Sequence, residues 1–247
     1  MAKVLEVRDL AIGYGDEPLL DEIAFDVLRG EVLAVLGGSG CGKSTLLRTV
    51  IGLMPPLSGR IHFSGIGPPA LAMEPPSFGV LFQSSALFGS RTLLQNVLLP
   101  LQKWTSLPPD AAAAVALGRL RLVGLERFAH HLPSEVSGGM KKRAGIARAL
   151  ALDPPILFLD EPSAGLDPVT AADLDELIVT LARSLHVTIV MVTHELPSIL
   201  RVADQCIMLD RDAGGIIARG APRELRERSA DTRVRAFFHR QPAAVNP

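Results

Sequence analysis

Little in this sequence could build a metal cage, a disulfide scaffold, a membrane span or a nucleic-acid face. Its two cysteines, Cys41 and Cys206, make neither a metal-ligand spacing nor a disulfide framework. That suits a reducing compartment and leaves both as small packing residues. Charges or prolines interrupt every apolar run before it reaches the ~20 residues that a spanning helix needs. The opening MAKVLEVRDL alternates apolar and polar residues like a strand and lacks the long apolar core of a signal peptide, so a cytoplasmic chain is expected. Net charge is nearly absent as well. Twenty-five Lys and Arg against 26 Asp and Glu leave −1, which provides no general field for nucleic acid or anionic lipid. No aromatic residues interleave the basic run Lys141, Lys142 and Arg143, which therefore reads as a solvated helix face and not as a nucleic-acid patch.

The chain does have enough apolar residues for a core. With 247 residues, 48% hydrophobic and 21% charged, it can form one large domain or a domain with a lobe. Residues 3–35 read as strands with turns at Gly13, Gly15 and Gly30, and RIHFSG (60–65) extends this β-rich start. The proline-rich GIGPPALAMEPPS (65–77) reads as a surface loop. Four short apolar runs follow a common rule: VLAVL precedes Gly37, FGVLF precedes Gln83, ILFL precedes Asp160 and Glu161, and TIVMVT precedes His194. Such runs suit a mostly parallel sheet buried on both faces, in which ligands sit at the carboxyl ends of the strands. The spacing therefore sets Lys43, Gln83, Asp160, Glu161 and His194 along one rim. Between Gln83 and Asp160 the pattern turns helical, and Met140, Ala144, Ala147, Leu150 and Ala151 follow the three-and-four spacing of a packed helix. ADQCIMLDRDAGGIIARG reads as a hairpin, and the charged tail from Pro222 has apolar residues only at Leu225, Val234, Phe237 and Phe238.

GGSGCGKST, from Gly37 through Gly38, Ser39, Gly40, Cys41, Gly42, Lys43 and Ser44 to Thr45, is a phosphate-binding loop between a strand and a helix. Its glycines let backbone N–H groups face phosphate, and the helix N-terminus adds partial positive charge. Lys43 reaches for the β- and γ-phosphates, and Ser44 for Mg²⁺. Asp160 ends a buried strand, where a carboxylate needs a cation or hydrogen bonds. Glu161 stands where a residue orients or deprotonates the attacking water, the alternative being a capping carboxylate before Pro162. Ser137 can cap a helix starting near Met140 and, with Gly138 and Gly139, form a second anion-binding end.

Taken in order, GGSGCGKST, Gln83, VSGGM, ILFLDEPSAGLD and His194 resemble the nucleotide-binding subunit of ABC transporters over nearly the whole chain. The resemblance implies an α/β, P-loop ABC ATPase fold with a RecA-like core. An N-terminal antiparallel β subdomain and the nucleotide-binding core would share residues 1–84 and 156–220. Residues 85–155 would form an inserted helical subdomain and 221–247 a C-terminal extension. It further implies that ATP is bound with Mg²⁺, that Tyr14 stacks on adenine, and that Gln83 touches Mg²⁺ or water and relays to membrane subunits. His194 would contact the γ-phosphate, and Asp167 would lie at the subunit interface. Glu161, His194, Gln83 and Lys43 would be catalytic, with Ser44, Gln83 and Asp160 at the metal. Ser137, Gly138, Gly139 and Met140 would face the γ-phosphate held by a second copy, so that a homodimer sandwiches two ATP molecules. The spacing alone leaves an intrachain contact equally open.

Met140 stands where the family signature has Gln and cannot reproduce an amide hydrogen-bond pattern, although Ser137 and the backbone are unchanged. LFQSSALFGSRTLLQNVLLPL, LPSEVSGGMKKRAGIARAL and TRVRAFF are similar to the ATPase of MCE-associated, Mla-type phospholipid transport systems. That likeness implies integral membrane permease subunits, an MCE-domain substrate-binding protein and a place on the cytoplasmic face of the inner membrane. Leu87, Phe88, Leu93, Leu94, Val97 and Leu98 fall where the family docks a permease helix, and about half of them are expected in the core under helical periodicity. Phe237 and Phe238 either dock on a neighbouring subunit or fold back on their own domain. Three alternatives are an ABC ATPase for another cargo, a soluble ABC protein acting on nucleic acid, and a nucleotide sensor without turnover. Intact Lys43, Asp160 and Glu161 speak against the last.

Overall fold

The computed structural model describes residues 2–69 and 77–240, so residues 70–76 of the expected proline-rich loop lie outside the described residues. The chain begins with β1 (Lys3–Tyr14), β2 (Glu17–Leu28), β3 (Val32–Gly37), α1 (Lys43–Val50), β4 (Ser58–Phe63) and β5 (Gly79–Leu81). Three helices follow, α2 (Leu93–Trp104), α3 (Pro109–Leu122) and α4 (Gly138–Ala149). The chain then runs through β6 (Ile156–Asp160), α5 (Pro168–Leu185), β7 (Thr188–Val192), α6 (Leu196–Val202), β8 (Gln205–Asp210) and β9 (Gly215–Gly220). Two short helices, α7 (Pro222–Arg228) and α8 (Thr232–Phe238), close it.

Two sheets result, an antiparallel one in the order β2-β1-β4 and a six-stranded one in the order β5-β6-β7-β3-β8-β9. In the second, β5, β6, β7, β3 and β8 are parallel, and only β9 runs antiparallel, as the hairpin partner of β8. Every residue of β3, β6 and β7 is buried, which is why these strands are runs of apolar residues instead of alternating, with polar residues only at the strand ends, Thr188 and Asp160.

The pleat sends successive side chains to opposite faces. Ala34 and Leu36 of β3 join Leu157, Leu159 and Met191 in a core shared with α2 to α6. Leu33 and Val35 join Phe158, Val190 and Ile207 in a second core, covered by α1 and the antiparallel sheet. Thr92 caps α2, accepting from the Gln95 amide while the Gln95 side chain accepts from the Thr92 amide. Among the described residues no helix is long and apolar enough to cross a membrane.

One expectation changes and two open ones are resolved. Gly13 is not at a turn: it lies inside β1, where a Cβ would stand 2.0 Å from the Glu17 carbonyl oxygen, so glycine serves a close approach of backbones. The turn itself is at Gly15 and Asp16. Among the candidate docking residues, Leu93 and Val97 are fully buried in the core, Leu87, Leu94 and Leu98 pack partly against it, and Phe88 is exposed. The tail folds back on its own chain, with Val234 and Phe238 in the first core. Both cysteines are buried, and burial pushes the Cys206 thiol up to about 12, which suits packing and not reactivity.

Candidate nucleotide site

The carboxyl ends of β3, β6 and β7 open on one cleft of ≈ 890 Å³. At the end of β3, Gly37 has φ 146°, and a Cβ there would lie 2.5 Å from both Leu209 O and Cys41 Sγ. No side chain fits. The loop then turns through Gly40 and Gly42, both at positive φ, into α1, whose first turn has no side-chain cap. Its amides are thus left for an anion. Lys43 arches over the loop and donates to Gly37 O and Gly38 O, each at 2.8 Å. Cys41 packs beneath, buried.

Asp160, at the end of β6, is buried, and its Oδ1 has no hydrogen-bond partner. Burial raises its pKa, and the neighbouring Glu161 charge adds to this, while Arg48, the Ser44 hydroxyl and Lys142 act in the opposite direction. Glu161 follows with φ 47°. Its amide donates to Val192 O at 2.8 Å, its Oε1 lies 2.8 Å from His194 Nδ1, and its Oε2 is buried without a partner. Gln83 is exposed just beyond β5 and lines the cleft. Tyr14, 62% exposed, presents its ring at the cleft, with its hydroxyl 3.1 Å from Thr45 Oγ1.

The structure thus brings Tyr14, the phosphate-binding loop, Gln83, Glu161 and His194 around one space, with Asp160 just beneath it. It does not bring Ser137, Gly138, Gly139, Met140 or Asp167 there. Ser137 caps α4, accepting from the Met140 amide at 3.2 Å. Asp167 caps α5, accepting from the Val169 and Thr170 amides at 3.1 Å each, and hydrogen bonds from Thr170 hold its carboxyl below the usual range. These two helix starts touch each other: a Cβ on Gly139 would meet Thr170 Cγ2 at 2.3 Å.

Sequence reasoning missed two features. Lys142 is not on a solvated face but buried, donating to the backbone oxygens of Gln83 and Glu161, and nothing in the helical pattern marks it. Arg211, Ala236, Phe237 and Arg240 line the cleft, so the C-terminal helix forms part of its wall. The apolar Phe237 was the one available signal.

The ABC transporter family profile matches residues 20–164, from the approach to the phosphate-binding loop to just past Glu161. The chain belongs to the ABC transporter family. This ABC ATP-binding subunit is 38% identical over 244 residues to the intermembrane phospholipid transport system ATP-binding protein MlaF of Escherichia coli (strain K12), covering 96% of this chain and 89% of that protein. It is also 38% identical over 244 residues to the probable ribonucleotide transport ATP-binding protein mkl of Mycobacterium leprae (strain TN), covering 97% of this chain and 70% of that protein. Among solved structures, cbiO1 from Clostridium perfringens, part of the ABC transporter complex cbiONQ, superposes with a TM-score of 0.81 at 32% identity, covering 91% of each chain. ABC ATP-binding subunits bind and hydrolyse ATP to drive transport, dimerise and partner with membrane permeases.

Proposed function

We propose that this ABC ATPase powers the movement of phospholipid through a separate membrane permease with an MCE-domain protein, working at the cytoplasmic face of the inner membrane. The observation that supports this cargo is the likeness to the phospholipid ATP-binding protein over almost the full length of both chains. A different cargo is the second reading, supported by equal identity to the mycobacterial protein.

In the proposed site, adenine lies on the exposed Tyr14 ring and the phosphates lie on the uncapped start of α1. Lys43 turns from the Gly37 and Gly38 carbonyls to the β- and γ-phosphates. The residues present fit Mg²⁺: Ser44 stands beside Asp160, whose buried Oδ1 is unpartnered, and Gln83 is at the rim. A hard cation shared with phosphates needs only one or two protein carboxylates. Accordingly, no cluster of three or more His, Cys, Asp or Glu that could hold a metal is found among the described residues. When bound, the ion neutralises phosphate charge during transfer. Glu161 accepts the proton of the attacking water, and His194 fixes that carboxylate while reaching toward the γ-phosphate.

The position of Ser137, Gly138, Gly139, Met140 and Asp167 away from the cleft supports completion of each site by a second copy, whose α4 N-terminus would face the γ-phosphate. A groove of ≈ 300 Å³ lined by Phe78, Val80, Phe88, Leu99, Pro100 and Leu152 supports docking of a permease helix. The division into a β subdomain with nucleotide core (1–84 and 156–220), a helical subdomain (85–155) and a C-terminal extension (221–247) belongs to the same proposal.

Purification of the native complex tests the cargo. We expect a permease and an MCE-domain protein to copurify and phospholipid to be identified in the complex by mass spectrometry. A complex holding a soluble-substrate receptor and no lipid overturns the lipid reading and leaves the ATPase intact.

A further inference from the structure

Helix α4 starts at the Ser137 cap and runs beneath the two strand ends that carry Gln83 and Glu161. Lys142, 5% exposed, sits on the buried side of that helix. Its Nζ donates to Gln83 O at 2.6 Å and to Glu161 O at 3.1 Å. A charge buried this far needs good partners, and here both are backbone carbonyls of residues assigned to hydrolysis.

The backbone explains why two carbonyls at this spot need holding. Glu161 has φ 47°, a conformation that a non-glycine residue keeps only when its surroundings over-determine it. Four contacts do so: its amide to Val192 O, its Oε1 to His194 Nδ1, and, at its carbonyl, both the Ala164 amide and Lys142. On the other side, Ser85 and Ala86 have φ 63° and 46°. Arg148 of α4 donates to their carbonyls at 3.0 and 2.6 Å. Gly145 lets the helix close in, since a Cβ there would lie 2.5 Å from Leu81 Cδ1. Helix α4 therefore grips both segments, Arg148 at Ser85 and Ala86, and Lys142 at Gln83 and Glu161 together.

We propose that Lys142 is a positioning residue for ATP hydrolysis. Its ammonium locks the backbone of Gln83 and Glu161 into one frame with the helix that begins at Ser137, so that the seating of that helix end is felt at the water-activating carboxylate. The inference rests on the roles of Gln83 and Glu161 proposed above. Lys142 itself is not among the residues lining the cleft.

The full-length chain is assayed as wild type, Lys142→Met, Lys142→Arg, Lys142→Gln and Glu161→Gln. The measurements are kcat per nucleotide site, KM for ATP, equilibrium ATP affinity and Tm. Methionine keeps the stem and removes the donors. Lys142→Met is expected to lower kcat at least about tenfold while KM and ATP affinity stay within about threefold, with Lys142→Arg recovering most of the loss and Lys142→Gln lying between. A brace that merely stabilises the fold would lower Tm and the number of active sites and leave kcat per site unchanged. Wild-type kcat in Lys142→Met overturns the proposal, as does a loss carried by KM. If Lys142→Met does not fold, wild-type kcat in Lys142→Gln overturns it instead. Near-normal turnover in Glu161→Gln defeats the underlying assignment of Glu161, whereas an inactive Glu161→Gln beside a fully active Lys142→Met defeats the Lys142 proposal alone.

Discussion

His194 Nδ1 lies 2.8 Å from Glu161 Oε1, pairing a mostly exposed imidazole with a buried carboxylate at the ends of adjacent strands. The contact leaves Glu161 Oε2 as the buried oxygen without a partner. Glu161→Gln is expected to reduce steady-state hydrolysis by ~10²–10⁴-fold, the range of a lost general base, with ATP binding retained and ATP-bound dimers accumulating. His194→Ala is expected to reduce kcat in the same direction with ATP affinity changed only a few-fold, since it removes the carboxylate's anchor. Phosphate-release assays with nucleotide-binding titrations check both. Normal turnover in either variant removes that residue from its role.

The contact between Gly139 and Thr170 joins the starts of α4 and α5. Thr170 cannot simply rotate away, because its Oγ1 donates to Asp167 Oδ2 at 2.5 Å and its amide donates to Asp167 Oδ1. Gly139→Ala is therefore expected to destabilise the fold by ~1–3 kcal/mol, the range for overpacking, and to weaken ATP-driven dimerisation. Thr170→Ser in the same chain removes the offending methyl and leaves Thr170 Cβ, 3.8 Å away, as the nearest neighbour. Calorimetry and light scattering should then show recovery. A double variant no more stable than Gly139→Ala would show that this methyl is not the obstacle.

Asp175 on α5 is 3% exposed, and its Oδ1 has no partner. Burial raises its pKa, against the opposing effects of the Ser198 hydroxyl and Arg201. A carboxyl whose folded pKa is raised favours the folded state while it is protonated. That contribution is present below the unfolded value, near ~4, and is lost as pH rises through the folded value. Asp175→Asn should accordingly raise Tm at pH 7, with ~1 kcal/mol corresponding to ~2–4 °C in a chain of this size. The advantage should shrink as the pH is lowered through the acid range. A variant less stable at pH 7, or a gap independent of pH, contradicts this account.

Much of the site could be read before the fold was known, because the reasons were local. The phosphate-binding spacing is written in Gly37, Gly42, Lys43 and Ser44, and Ser137 accepts from the amide three positions ahead of it. Gln83, Asp160, Glu161 and His194 share a rim because each follows a run apolar enough to be a buried parallel strand. Gly13 misled, since a glycine forced by the close approach of a neighbouring strand looks in sequence like a glycine at a turn. The apolar run at 93–98 was half legible: helical periodicity separates Leu93 and Val97 from their neighbours but does not say what covers the other face.

The order of residues along the chain determined the strands, the loop that turns β3 into α1 and the polar residue ending each strand, because hydrogen-bond satisfaction and burial act within a few positions. Only the tertiary structure decided that Lys142 is buried between two strand ends, that Phe237 walls the cleft, and that the starts of α4 and α5 meet each other instead of that cleft. Those outcomes depend on which distant carbonyl, ring or methyl a side chain meets once the layers close, and periodicity holds no record of that distance.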